Sequence, residues 1–243
     1  MEEKEQQTVQ PMAQFFAERV EEYDAHMLEQ VEGCREAYEK VAACIPQNCE
    51  RLLDLGCGTG LELEKIFQKL PRVNVTGIDL CVEMLEECEK KFRGKPLSLI
   101  CGNYFDVPFG EEKFDCVLSF QTMHHFLHGE KLLLYQKILK ALESGGLYIE
   151  CDYMAETLEQ ELFFLQESVR LRQEQNIPQG VLCHIDIPFA VETQTNLLKE
   201  AGFRKIEPVF RRGNTTILLS WNTEKGIHKN TPFFTKRIYK QRP

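Results

Sequence analysis

Short apolar runs of strand length alternate with stretches of helical period through most of this chain. Leu52 to Leu55 is such a run, and Leu61, Leu63, Ile66, Phe67 and Leu70 then recur along one helix face. Val73 to Ile78 reads as a second strand and residues 81–92 as a helix with Met84, Leu85 and Cys88 inward. Leu97 to Cys101, behind Pro96, reads as a third strand. Lys113 to Phe120 and Leu147 to Cys151 are the fourth and fifth, separated by a helix from Glu130 to Leu142 that Ser144-Gly145-Gly146 is expected to stop. The alternation predicts an α/β fold, a Rossmann-like parallel sheet with helices on both faces.

Two stretches interrupt it. Residues 14–45 read as a helical arm with Phe16, Val20, Tyr23 and Met27 on one face, then Val31, Cys34, Tyr38 and Val41 around Gly33, ending before Pro46. That face is expected to cover the ligand end of the sheet. Residues 156–175 add a long helix striped by Leu158, Leu162, Leu165 and Val169, followed by Asn176-Ile177-Pro178 and a loop carrying His184, Ile185, Asp186, Ile187 and Pro188. This insertion reads as a substrate lid, and its stripe would equally suit a homodimer interface. A last helix opens at Val191-Glu192-Thr193 and stops at Ala201-Gly202-Phe203. Lys205–Phe210 and Thr215–Trp221 then read as an antiparallel hairpin through Arg211-Arg212-Gly213-Asn214. The expected organisation is a helical arm over 1–50, a cofactor-binding domain over 51–221 with the 156–188 insertion, and a polar, basic tail over 222–243 in which Pro232-Phe233-Phe234 offers local docking.

The glycines after the first strand narrow the ligand. The stretch Asp54-Leu55-Gly56-Cys57-Gly58-Thr59-Gly60 turns strand into helix, and Asp79 follows 25 residues after Asp54 at the end of the second strand, where a carboxylate can take both hydroxyls of a ribose. A dinucleotide fingerprint would need a glycine where Leu61 stands, and Asp54 suits a cationic amino-acid tail better than a diphosphate. Here the chain resembles the class I S-adenosylmethionine-dependent methyltransferases. The resemblance implies a seven-stranded sheet of order 3-2-1-4-5-7-6 and S-adenosyl-L-methionine as cofactor. It further implies that Asp54 and the turn of Gly56, Cys57, Gly58 and Gly60 hold the cofactor's methionine part, and Asp79 with Leu80 its ribose. Family members usually carry an acid at Asn103 for the adenine amino group; an amide oxygen can still accept there. Tyr104 or Phe105 is placed to flank the purine or simply to pack under the loop. In the arm, Tyr23-Asp24 with Arg19 matches a pair that helps close the cofactor site; equally, Tyr23 reads as core on the apolar stripe and Arg19 as a surface partner for Glu22 or Tyr23.

Phe120 and Gln121 end the fourth strand, and Thr122-Met123-His124-His125 turns at its carboxyl end, where open α/β sheets bind ligands. His124 and His125 are therefore candidates for substrate contact or proton removal, against the plainer reading of a structural cap. Asp152, ending the fifth strand, would bind a substrate amine, act as a base or cap a helix.

Charge and cysteine content exclude several classes. The net charge of −9 divides into +8 over residues 204–243 and −17 over the rest, so wide nucleic acid binding is disfavoured while a local contact by the tail stays open. The ten cysteines have no C-x-x-C spacing and read as reduced core residues, with no metal site or disulfide framework implied. No apolar run reaches the ~18 residues of a membrane span. The start is polar and acidic where a signal peptide is basic and then apolar, so the expected address is cytoplasmic.

These features together predict methyl transfer from S-adenosylmethionine to a small-molecule acceptor. Two alternatives stand beside it. One is a cofactor-binding protein without catalysis. The other follows from Phe15-Phe16-Ala17-Glu18-Arg19-Val20, the inserted helix and the stretch from Val191 to Phe203, which are similar to carboxy-S-adenosylmethionine synthase of transfer-RNA modification. That enzyme holds its extra carboxylate with an arginine where this chain has Leu197.

Overall fold

The structure is a computed structural model that describes residues 8–178 and 180–223. Most of the basic tail, including Pro232-Phe233-Phe234, lies outside the described residues.

Seven strands form one sheet of order β3-β2-β1-β4-β5-β7-β6. β1 (Arg51–Leu55) is the hub, pairing in parallel with β2 (Asn74–Asp79) on one side and β4 (Phe114–Phe120) on the other. Its apolar run is explained by that position, since a parallel strand is covered on both faces. β3 (Leu97–Cys101) forms one edge. β5 (Leu142–Tyr153) continues the parallel set, and the hairpin of β6 (Lys205–Arg212) and β7 (Thr215–Trp221) adds two antiparallel strands, with β7 buried throughout between β5 and β6.

Helices cover both faces. On one, α3 (Cys34–Cys44) packs against α4 (Leu61–Lys69); on the other, α6 (His128–Ala141) packs against α8 (Val191–Ala201). α5 (Val82–Lys91) follows β2, burying Met84, Leu85 and Cys88. All ten cysteines are free, and only Cys101 is exposed.

Three local expectations change. The arm is three helices, with a break at Arg19 besides the one around Gly33: α1 (Met12–Ala17), α2 (Val20–Glu29) and α3. The chain turns at Arg19, which leaves helical backbone, and again at Gly33, whose φ of 85° stands against Arg212 where a side chain would collide. Ser144-Gly145-Gly146 does not stop α6. The helix ends at Ala141, Leu142 pairs directly with Phe114, and the glycines fall inside β5. In α7 (Leu158–Glu174) most of the stripe is not buried: Leu158, Leu162 and Val169 are exposed, with Phe163 beside them, while Leu165 packs half-buried against the core and Ser168 and Leu171 face inward.

α1 is latched to the segment after α7. Met12 N–H donates to Leu182 O (3.0 Å), His184 N–H to Gln10 O (3.0 Å), and Pro11 bridges Cys183. Helical arm and inserted segment thus meet over the carboxyl ends of β1, β2, β4 and β5.

Candidate functional site

Two cavities open along that edge. The inner one is built largely by backbone. Gly56 N–H donates to Ile78 O (2.8 Å), which folds the turn back over β2. Gly58 N–H donates to Asp79 Oδ2 and Cys81 N–H to Asp79 Oδ1, each at 2.9 Å. Burial pushes the Asp79 carboxyl up from its ordinary value, against these backbone donors that favour the charged form. A Cβ on Gly58 would touch only Tyr23, at 3.9 Å, so the turn presents bare backbone to the cavity. Gly60 is needed for a different reason: a Cβ there would sit 2.6 Å from the Phe92 ring and 2.9 Å from Cys88 Sγ.

Of the residues expected at the cofactor, Tyr23, Gly56, Gly58, Asp79, Leu80 and Asn103 line this inner cavity, together with Tyr104, Phe120 and Gln121. Asn103 Oδ1 already accepts from Phe105 N–H (3.0 Å), closing a local turn. Tyr104 bonds the Thr122 hydroxyl (2.8 Å), and Phe120 stacks on Tyr38 with centroids 4.2 Å apart. Asp24 does not line the cavity. It bonds Thr59 and Lys91, tying α2 to the glycine turn and to α5.

Asp54, Cys57, Gly60 and Arg19 fall elsewhere. Cys57 is buried with its Sγ against the Gly77 backbone. Arg19 lines the outer cavity, lying 3.8 Å over the Phe15 ring and donating to Phe15 O (2.8 Å). Asp54 is wholly buried behind the turn, and neither of its oxygens has a hydrogen-bond partner among the described residues; Glu62 Oε1, at the start of α4, has none either. Burial pushes Asp54 up to about 7, and burial with the Asp54 charge pushes Glu62 well above the carboxylate range. Glu62 is an addition that sequence reasoning missed. The signal was there, an acid two residues past Gly60 on a helix turn whose neighbours Leu61 and Leu63 both face the core.

The outer cavity, of about 950 Å3, is built from side chains. His124 and His125 stand on a single 3-10 turn, Met123–His125. His124 Nδ1 meets Asp152 Oδ1 at 2.7 Å, and its Nε2 lies 3.6 Å from Asp186 Oδ1. His125 Nδ1 is also 3.6 Å from Asp186 Oδ1 and 3.3 Å from Ile185 O. His184 stacks on Phe15 at 3.5 Å. Ile187 N–H donates to His124 O (2.6 Å), so the two loops are locked together. Burial alone would lower the His124 pKa, but the charge and hydrogen bond of Asp152, with Asp186 beyond, raise it. Burial and the neighbouring His124 and His184 hold His125 well below its ordinary value. Asp186 joined this cluster only through the fold; its sequence neighbours mark nothing but an extended loop.

Phe16, Tyr23, Gln121 and His125 line both cavities and form the partition between them. Gln121 adopts φ 51°, an uncommon left-handed conformation for a residue with a side chain. Its backbone N–H reaches Cys151 O (2.8 Å), and its amide reaches Cys34 Sγ and Thr215 Oγ1, each at 3.4 Å.

A strand–turn–helix with bare glycine backbone beside a strand-end carboxylate is the arrangement that nucleotide-cofactor sites on Rossmann-like sheets share. Residues 52–146 match the family described as Methyltransferase domain. The chain is 25% identical over 166 residues to the biotin biosynthesis bifunctional protein BioHC of Teredinibacter turnerae, covering 65% of this chain and 27% of that protein. It is 23% identical over 197 residues to the carboxy-S-adenosyl-L-methionine synthase of Campylobacter hominis, covering 78% of this chain and 84% of that one. Human N-acetylserotonin methyltransferase, solved with S-adenosylmethionine, superposes with a TM-score of 0.62 at 17% identity over 85% of this chain and 56% of its own. The chain spans well under half the length of the first curated relatives it matches. Over residues 52–146 the chain is thus similar to the methyltransferase domain, and its fold is that of solved S-adenosylmethionine-dependent methyltransferases. No helix among the described residues is long and apolar enough to cross a membrane.

Proposed function

We propose that this protein binds S-adenosylmethionine in the inner cavity and transfers its methyl group to a small-molecule acceptor held in the outer one. The observation that carries the reading is the shared partition. The glycine turn and Asp79 stand on one side of Phe16, Tyr23, Gln121 and His125, and a larger, open cavity carrying His124, His184 and Asp186 stands on the other.

The donor set suits this cofactor. Asp79 suits the ribose, while the three unpartnered buried oxygens of Asp54 and Glu62 lie behind the turn and line neither cavity. When bound, the cofactor supplies a methyl group activated by sulfonium. The protein's own task is to align the acceptor and exclude water, for which Phe16 and Tyr23 provide the walls and His124 and His125, backed by Asp152, the polar contacts. At about 50 Å3 the inner cavity is tighter than the roughly 300–1,000 Å3 of small-molecule sites, so cofactor entry requires α1, which carries Met12 and Phe16, to swing away.

A carboxy-S-adenosylmethionine synthase reading is favoured by the length of that match. It is opposed by Leu197, which is packed in the α8 core and offers no cation to a carboxylate. The open outer cavity also favours an enzyme over a cofactor sensor, which needs no acceptor space.

The test is calorimetric titration of the full chain with S-adenosylmethionine and S-adenosylhomocysteine. Micromolar binding is expected, weakened at least ~100-fold in Asp79→Ala, where hydrogen bonds to a charged group are lost. Absence of binding to either ligand would sink the proposal.

A further inference from the structure

We propose that His124 Nε2, His125 Nδ1 and Asp186 Oδ1 bind a divalent first-row transition-metal ion in the wall of the outer cavity, with Asp152 as the orienting partner of His124. Two imidazoles and one carboxylate are a donor set such ions take up readily.

His125 Nδ1 makes a 3.3 Å contact with Ile185 O, which ligation would exchange for a proton on Nε2; the distances to Asp186 fit an ion better than direct contacts. All three donor atoms lie within 4.8 Å of one another, and Asp186 Oδ1 is 3.6 Å from each imidazole nitrogen. That separation is too long for a hydrogen bond. Ligands about 2.0–2.2 Å from a tetrahedral ion stand roughly 3.3–3.6 Å apart, which matches the two pairs that include Asp186.

The chemistry of the neighbours points the same way. Asp186 Oδ1 is buried and has no hydrogen-bond partner among the described residues. A buried carboxylate oxygen left without a donor is costly, so the position calls for a cation. Asp152, itself buried, accepts from His124 at Nδ1 and thereby assigns the lone pair to Nε2, the atom facing Asp186. A carboxylate behind a ligating imidazole is the usual support of a metal site. The ligands are also fixed before any ion arrives, because the Ile187 N–H to His124 O bond joins the 3-10 turn to the Asp186 segment.

Three protein ligands leave a coordination position toward the cavity. If the function proposed above holds, an acceptor hydroxyl at that position gives its proton to bulk water at a lower pH than when free. The O–H bond breaks and the electron pair stays on the oxygen. The acceptor class this favours is a hydroxylated small molecule.

The experiment uses tag-free full-length protein, stripped with chelator and titrated with Zn2+ by calorimetry, then loaded with Co2+ for its visible spectrum. One equivalent binding below micromolar, with cobalt bands of a four-coordinate nitrogen–oxygen site, is expected. Asp186→Asn should weaken zinc at least ~10-fold, and Asp152→Asn ~10–100-fold. S-adenosylhomocysteine titrated into each variant checks that the chain is folded and reads the cofactor site separately. Cofactor binding without zinc binding would overturn the metal site and leave the methyltransferase reading standing. Zinc binding unchanged in a folded Asp186→Asn would overturn it too, because the ion would then sit on other ligands such as the exposed Cys101. Zinc binding as expected without cofactor binding would support the metal site alone.

Discussion

The two cavities at the sheet edge are made of different material. The inner one centres on the glycine turn, whose backbone N–H groups and bare glycines face Asp79, with side chains of α1, α2 and the ends of β2 and β4 closing round it. The outer one is assembled from His124 and His125 after β4, Asp152 at the end of β5, and Asp186 beyond α7, brought together across up to 62 residues of chain. A backbone site is broken by anything that moves the chain. A side-chain site is tuned by replacing atoms without moving it.

The largest expected effect breaks the inner site. Gly60→Ala adds a Cβ to a residue at φ 78° and drives it into Phe92 and Cys88, so a loss of roughly 2–5 kcal/mol in urea unfolding is expected, with cofactor binding lost too. Gly145→Ala is the control. It has a similar φ of 84° but open space around it, and should cost only about 1–2 kcal/mol with cofactor affinity unchanged. Equal losses in the two variants would mean that backbone conformation alone, and not close approach, explains Gly60.

A second effect separates the buried acids behind the turn from the cluster in front of it. Asp54, with an ordinary pKa of 3.8 and a folded value of about 7, keeps its proton in the native state at pH values where the unfolded chain has lost it. Stability is therefore full below about pH 4 and falls as pH rises toward 7, by on the order of a few kcal/mol. Glu62 adds to the fall in the same direction. In Asp54→Asn the slope between pH 4 and 7 should flatten and stability at pH 7 should rise. Chemical unfolding of the ligand-free protein across that range measures both, and a slope unchanged by the substitution would remove Asp54 as its source.

The smallest effect sharpens the contrast at the outer site. Asp152→Asn keeps the shape of the side chain and leaves the sheet intact, so S-adenosylhomocysteine affinity should be unchanged. Methyl transfer to an accepted substrate should fall ~10–100-fold as His124 loses the carboxylate that orients it. A loss of cofactor affinity instead would show that the two cavities are not separable.

Much of the fold was legible before any coordinates. The central strands could be read from their apolar runs, because a strand buried on both faces allows few polar residues, and Asp54 to Gly60 with Asp79 announced the glycine turn because its geometry is local. Boundaries were less so. Gly145-Gly146 looks like a helix stop by residue type, but pairing with β4 takes Leu142 into the sheet first. The arm's apolar stripe runs on through Arg19, where the chain nevertheless turns so that α1 can latch onto Leu182 and His184.

What the sequence determined by itself was therefore the succession of strands and helices and the glycine turn with Asp79, set by periodicities and spacings within about 30 residues, while the strand order followed from the family resemblance. Only the tertiary structure decided that Asp54 pairs in burial with Glu62 behind the turn, that Arg19 faces the outer cavity, and that Asp186 meets both histidines. Those outcomes depend on where distant segments land. Side-chain sites built across such separations leave no periodic trace in the chain, because each contributing residue satisfies only its own local rules.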